Sequence, residues 1–302
     1  MTAFLSALGD KLAERWLTLL AVPGVLYLMA LGAAVTLGQR HWHDVGRLRA
    51  RLDALAAAPA AHSPGTVAVA ALGVLAGAAA VGTAAQQLGG WVEKAWLVEV
   101  RGPLTGRLAA RRLRRWQAAD ADYRTALVAA GRARIAEGAD AGALAHDAER
   151  RYAARNRIGS AAPRHAFWTG DRIAAPDQRV WRSYRLDLTV AWPHLWLLAP
   201  DGTRAELDTA RTGLASATRL IAWGAGYAVL SLWWWPAAPI GALAVATGVG
   251  RGRAAAASFA DLAEALVDLH GKELALALGL ECEGALTRTV GEAVTRALSK
   301  PG

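Results

Sequence analysis

The chain has 302 residues, 54% of them hydrophobic, with one cysteine and a formal charge of +9. That length holds more than one ordinary domain, and a single thiol excludes an intrachain disulfide and any cysteine-built zinc site. Positive mean hydropathy and 13 Trp against three Phe favour a protein that meets a bilayer over a soluble enzyme, because indole has an apolar body and a polar N–H.

Residues 1–15 form a short amphipathic lead, with Asp10, Lys11, Glu14 and Arg15 closing it. Trp16 to Gly38 is uncharged and too long for the ~7–15-residue core of a cleaved signal, so it reads as an uncleaved first span. Gln39 to Pro64 is a polar connection in which Leu48, Leu52 and Leu55 recur at helical spacing, giving a short surface helix. Its His41-Trp42-His43-Asp44 run offers imidazoles and a carboxylate, but neighbours in sequence rarely converge on one metal ion, and no metal or other cofactor is expected. Gly65 to about Leu88 is a second span rich in small residues. Gly73-Val-Leu-Ala-Gly77 in it has the spacing that lets helix backbones approach in lipid, either within the chain or between copies in a homo-oligomer.

Trp91 to Arg219 is polar and helical in pattern. Pro103 opens a helix on which Arg107, Arg111, Arg114 and Arg115 share one side and Ala109, Leu113 and Trp116 the other. Further helical stretches cover about 120–136 and 141–157, with Gly138-Ala139-Asp140 between them. Pro163, Gly170 and Pro176 break 158–186 into loop and short elements. Asp187 to Ala199 is apolar but too short to span, so it lies in the interface or against the bundle. Asp171, Asp177 and Asp187, with His165 and Tyr184, could serve as acid/base groups; ion pairing with Arg164, Arg172, Arg179 and Arg182 accounts for the carboxylates more simply.

A helix from about Arg204 runs into the third span, about 214–235, with Arg219 able to snorkel. Trp233, Trp234 and Trp235 then stand as headgroup-level anchors before Pro236. The fourth span, about 237–250, crosses only if Arg251 and Arg253 snorkel or the bilayer thins; otherwise the hairpin is re-entrant. Gly248-Val-Gly250-Arg-Gly252 lacks the strand, spacing and lysine of a phosphate loop and reads as a helix break at the membrane exit. Ala254 to Leu280 is an amphipathic helix with Phe259, Leu262, Leu266, Leu269, Leu274 and Ala277 on one side, and Asp261, Glu264, Asp268 and Lys272 on the other. His270 lies on the apolar side as a hydrogen-bonded core histidine. The tail carries a weaker helix through Leu286, Val290, Val294 and Leu298.

The expectation is therefore an all-α integral membrane protein with about four transmembrane helices and a helical cytoplasmic domain. Residues 1–92 carry the lead and first hairpin, 93–213 the basic domain, 214–250 the second hairpin and 251–302 the amphipathic helix and tail. Arginines just after the second span place the middle segment, and with it both termini, on the cytoplasmic side of a bacterial inner membrane. Thirty of the 34 basic residues are Arg, a bias that also fits a GC-rich coding sequence. The leading function is non-enzymatic: a membrane-anchored scaffold, sensor or effector that binds a protein partner or anionic lipid, with no nucleic acid. The alternatives are an oligomeric channel or transporter subunit built on the second span, and a lipid-acting enzyme using His165, Asp171 or Asp187. The first, second and fourth spans hold no polar mark beyond Gln86 and Gln87, and Arg219 stands at a boundary, which argues against a transporter with a midplane ion site.

One segment carries a resemblance. Trp168-Thr-Gly-Asp171, Trp181-Arg-Ser-Tyr184-Arg-Leu-Asp187, Trp192-Pro193-His-Leu195 and Pro200 resemble a pattern in uncharacterised multi-pass membrane proteins of high-GC bacteria. There a Gly-Asn turn precedes Arg-Tyr-Gly and Trp-Pro-Arg-Leu motifs and a helix into a membrane hairpin. Here Asp171, Ser183 and His194 depart from that pattern. The resemblance implies the same layout over about 165–280 and no activity.

Overall fold

The computed structural model describes residues 22–58, 63–98 and 102–299, so the lead and residues 16–21 of the first span lie outside the described residues. The described chain is all-α. Its ten helices are α1 (Val22–Leu37), α2 (Val45–Ala56), α3 (Pro64–Leu97), α4 (Pro103–Ile135), α5 (Ala141–Ile158), α6 (Trp168–Tyr184), α7 (Leu188–Leu198), α8 (Asp201–Leu230), α9 (Ala237–Ala277) and α10 (Arg288–Leu298). The chain forms two compact units, one from residues up to 92 with 215–251, the other from 93–214 with 252–302.

Local chemistry sets many of the ends. Asp44 caps α2 by accepting from the Arg47 N–H at 2.9 Å, and Asp187 caps α7 by accepting from Thr189 N–H at 2.8 Å. Gly102 and Pro103 open α4, with the Thr105 hydroxyl closing back on Gly102, and Arg132 and Arg134 sit in its last turn where the carbonyl dipoles favour cations. α4 is one helix of 33 residues rather than two stretches, since nothing between Trp116 and Asp120 interrupts it.

In the first unit the helices approach through small residues. A Cβ on Gly24 of α1 would lie 2.2 Å from the Ala78 carbonyl oxygen of α3. A Cβ on Gly224 of α8 would lie 2.8 Å from the Gly241 carbonyl of α9, and one on Gly248 would lie 2.9 Å from the Ala217 carbonyl. Ala217 and Gly224, like Gly241 and Gly248, are two helical turns apart, so α8 and α9 run antiparallel with small residues facing at each repeat. Tyr27 adds an aromatic fit, its hydroxyl 3.3 Å from the Gly226 carbonyl and its ring edge-on to Tyr227 at 5.4 Å. One described helix, α3, is long and apolar enough to cross a membrane, and only 11% of its most apolar window is buried. Apolar α1 and α7 are shorter.

The second unit has a conventional core of Leu186, Leu195, Leu207, Leu266, Val267, Leu274 and Val294, each almost wholly buried. Burying each such side chain contributes roughly 1.5–3 kcal/mol. α6 runs through Pro176 instead of breaking. The ~3 kcal/mol that an interior proline costs a helix is offset by burial of Pro176 and Val180 and by polar pairs from α6 to α9: Arg172 to Asp261, Arg179 to Glu264, and Tyr184 hydroxyl to Asp268. Arg185, left-handed at φ 56°, turns the chain into α7. α10 seats on that corner, where the Thr295 hydroxyl accepts from Asp187 N–H at 3.0 Å and a Cβ on Gly291 would meet the Tyr184 carbonyl at 2.1 Å. α9 is also continuous, 41 residues with no break at Gly248–Gly252. Each interior glycine costs a helix only about 1 kcal/mol, and Gly252 is buried by its neighbours. The inward stripe of α9 is set by Ala256, Ala260, Ala263, Val267, Leu274 and Ala275, so Leu269, 71% exposed, and Ala277 face outward, contrary to expectation.

Candidate functional site

α4 presents two different arrays of arginine. Arg107, Arg111, Arg114 and Arg115 are all exposed, and among the described residues none has an ion pair or a side-chain hydrogen bond. Ala109 is buried and Leu113 and Trp116 half-buried on the other side, the division that the periodicity required. The result is a face of four unneutralised guanidinium groups on a rigid helix.

Arg112 lies off that face and turns inward. One terminal nitrogen donates to Asp171 Oδ2 at 2.7 Å and to the His165 carbonyl at 2.8 Å; the other donates to the Ile158 carbonyl at 2.9 Å. Asp171 Oδ1 accepts from Arg164 N–H and His165 N–H, both at 2.8 Å, and lies 3.0 Å from His165 Nδ1. Gly170 permits this fold, since a Cβ there would lie 2.3 Å from the Trp96 carbonyl. The ion pair is mostly buried, with 18% and 17% of the two side chains exposed. Both carboxylate oxygens accept hydrogen bonds and His165 is buried, so the cluster joins α4, α6 and the 158–167 loop. A 270 Å³ cavity beside Asp171 includes Ser160, which has no hydrogen bond to His165 among the described residues.

Sequence reasoning missed Arg112 as the partner of Asp171 and had chosen Arg164, Arg172, Arg179 and Arg182 instead. The helical wheel held the signal: five residues beyond Arg107, Arg112 points about 140° away from it at ~100° per residue. Asp187 is a cap. Asp177 is exposed and has no ion pair among the described residues; partial desolvation first, then the nearby Asp187 charge, pushes its carboxyl above the usual range, with the Leu188 N–H partly offsetting them. Burial likewise raises Glu264 despite Arg179 and Arg172. His270 Nδ1 lies 2.7 Å from Glu273, and the ring is half-buried as expected.

A second arginine centre clamps α4 to α5. Arg155 lies over Trp116, Tyr123 and Tyr152 at 5.7, 5.2 and 4.9 Å from their ring centres and pairs with Asp120 at 3.1 Å. Such contacts contribute about 0.5–2 kcal/mol each, which fits a structural hinge pin.

The largest cavity described, 710 Å³, is a groove in the second unit floored by Trp192, Trp196 and Phe259. Glu93, Asp208 and Arg211 stand around it. Asp208 and Arg211 are one turn apart on α8, and none of the three has a side-chain partner among the described residues.

In the first unit, Trp233 and Trp235 are largely exposed and Trp234 half-buried. Trp235 meets Trp42 edge-on at 4.9 Å and its backbone N–H donates to Gln39 Oε1 at 3.0 Å, so the turn after α8 and the connection after α1 share one end of that unit. Gly77 has Leu28 3.4 Å from where its Cβ would be, whereas Gly73 faces open space. His41 and Asp44 do not converge: Arg47 takes the His41 Nδ1 at 2.9 Å and Asp44 caps α2. No group of metal-ligating side chains occurs among the described residues.

No protein-family model matches the chain, and neither do curated proteins or solved structures.

Proposed function

We propose that the chain is a four-span protein of a bacterial inner membrane, related to the multi-pass proteins it resembles, with its basic helical unit and both termini cytoplasmic. It acts without catalysis, as a membrane-anchored scaffold, sensor or effector whose α4 arginine face contacts anionic lipid. The observation that carries the membrane reading is the burial of α3. A core helix of a soluble protein would be mostly covered, whereas this one leaves its apolar window almost bare. Val22, Leu26, Met29, Val35, Val69, Leu72 and Leu243 of the same unit are also at least half exposed, and lipid is the solvent that suits such a surface. The shared end of Trp42 and Trp235 supports four crossings, since it puts the two hairpin connections together.

Near an anionic leaflet each arginine contributes about 1 kcal/mol, falling off within a Debye length of about 8–10 Å. Four arginines give roughly 4 kcal/mol of salt-sensitive attraction. Hydrogen exchange of the full chain, in vesicles with and without anionic lipid, tests it. Residues 105–116 gain protection only in anionic vesicles at low salt, and lose that gain when Arg107, Arg111, Arg114 and Arg115 become Gln. Equal protection in neutral and anionic vesicles would overturn the lipid contact.

A further inference from the structure

The groove floored by Trp192, Trp196 and Phe259 has the volume and composition of a ligand site, which typically spans about 300–1,000 Å³ of mostly apolar wall with a few polar groups. Its apolar floor is continuous: the Trp192 ring centre is 6.2 Å from Trp196 and 6.0 Å from Phe259. Its rim carries charge of both signs. Elsewhere in this unit Arg112–Asp171 and Arg155–Asp120 are mostly buried matched pairs. Here Glu93 is half-buried and Asp208 and Arg211 are exposed, all three beside apolar surface and with no side-chain partner among the described residues. Charge beside an apolar wall is costly to leave unmatched once water is displaced.

We propose that this groove binds one zwitterionic glycerophospholipid of the ethanolamine type, with an acyl chain on the indoles, the phosphate at Arg211 and the ammonium between Glu93 and Asp208. The rim holds both signs, so its best complement carries both signs next to an apolar tail. A fatty acid or a glycerol-headed anionic lipid would leave two carboxylates facing a negative or neutral head. A cationic amphiphile would leave Arg211 unmatched. Glu93 and Leu97 come from the C-terminal part of α3. The inference rests on the membrane reading above for its source of ligand.

The full-length chain, extracted in mild detergent and examined by native mass spectrometry, should retain close to one phosphatidylethanolamine per chain. Titration with defined lipids should show at least fivefold preference for phosphatidylethanolamine over phosphatidylglycerol. Ala255→Trp, which fills the groove, should remove the bound lipid. Glu93→Gln with Asp208→Asn, at positions whose charges hold no fold contact, should abolish the preference while leaving the thermal midpoint unchanged. Retention of lipid by Ala255→Trp, or equal or better binding of phosphatidylglycerol by the unaltered chain, would overturn the site. Alkaline carbonate washing of membranes separates the two claims: release of the chain defeats the membrane reading, whereas a retained chain that carries no phosphatidylethanolamine defeats the groove alone.

Discussion

Replacing Asp171 by Ala removes the acceptor shared by four groups: an Arg112 nitrogen at 2.7 Å, which keeps only the His165 carbonyl, two backbone N–H groups at 2.8 Å, and the His165 ring. Breaking a buried ion pair by deleting one partner costs about 3–5 kcal/mol, because the other charge stays behind uncompensated. With nearly a fifth of each side chain exposed, water can reach Arg112, which places the cost at the lower end, about 3 kcal/mol. At ~1.4 kcal/mol per factor of ten, this raises the population of the opened second unit about a hundredfold. Native-state proteolysis of the detergent-solubilised chain reads that population when opening and closing are fast. Cleavage within 158–184 should accelerate by about that factor. Arg112→Met combined with Asp171→Leu should be milder than Asp171→Ala, because no buried charge is left alone. If Asp171→Ala changes cleavage by less than about threefold, the carboxylate does not organise this unit.

Asp177 supplies a pH test. Its carboxyl titrates higher in the fold than in the unfolded chain, so the folded state holds the extra proton and stability from this group is present at low pH and lost as pH rises through the folded value. Asp177→Asn should therefore raise the thermal midpoint at pH 7 and lose that advantage as pH falls to the ordinary carboxylate range; an Asn variant less stable at pH 7 would contradict the desolvation and Asp187 repulsion argued for this carboxyl. Gly224→Leu should lower the midpoint markedly, since its Cβ alone would meet Val245 Cγ2 at 2.6 Å. Gly73→Leu, facing open space, should leave it unchanged, and loss of stability there would reveal a second copy or other partner on α3.

Much of the layout was legible because it follows periodicity and end signals. Leu48, Leu52 and Leu55 marked α2 and Pro103 the start of α4, whereas Asp187, grouped in sequence with the ion-pairing carboxylates, turned out to cap α7. The arginine face of α4 followed from spacing alone. What stayed hidden was decided by tertiary contact. Pro176 and Gly170 look like breakers until α9 and Trp96 are brought against them. The glycines at 248–252 look like an exit until Ala217 is seen lying on Gly248. The inward stripe of α9 is mostly alanine, so reading large residues as the core put Leu269 on the wrong side. The chosen Gly73–Gly77 pair follows a motif, while the tightest approaches occur at Gly24, Gly224 and Gly248, where the facing helix also offers small residues. The groove draws its walls from five stretches of chain, and no local pattern announces it.

The central claim is that two hairpins carry the chain across a bilayer with the basic unit inside. Sided thiol labelling measures this directly, using Ala57→Cys in the first connection and Ala136→Cys at the end of α4, both exposed positions, in a Cys282→Ala background. The account predicts that a membrane-impermeant maleimide labels Ala57→Cys in intact cells and reaches Ala136→Cys only after permeabilisation. Equal labelling of the two in intact cells, or the reverse order, would contradict it.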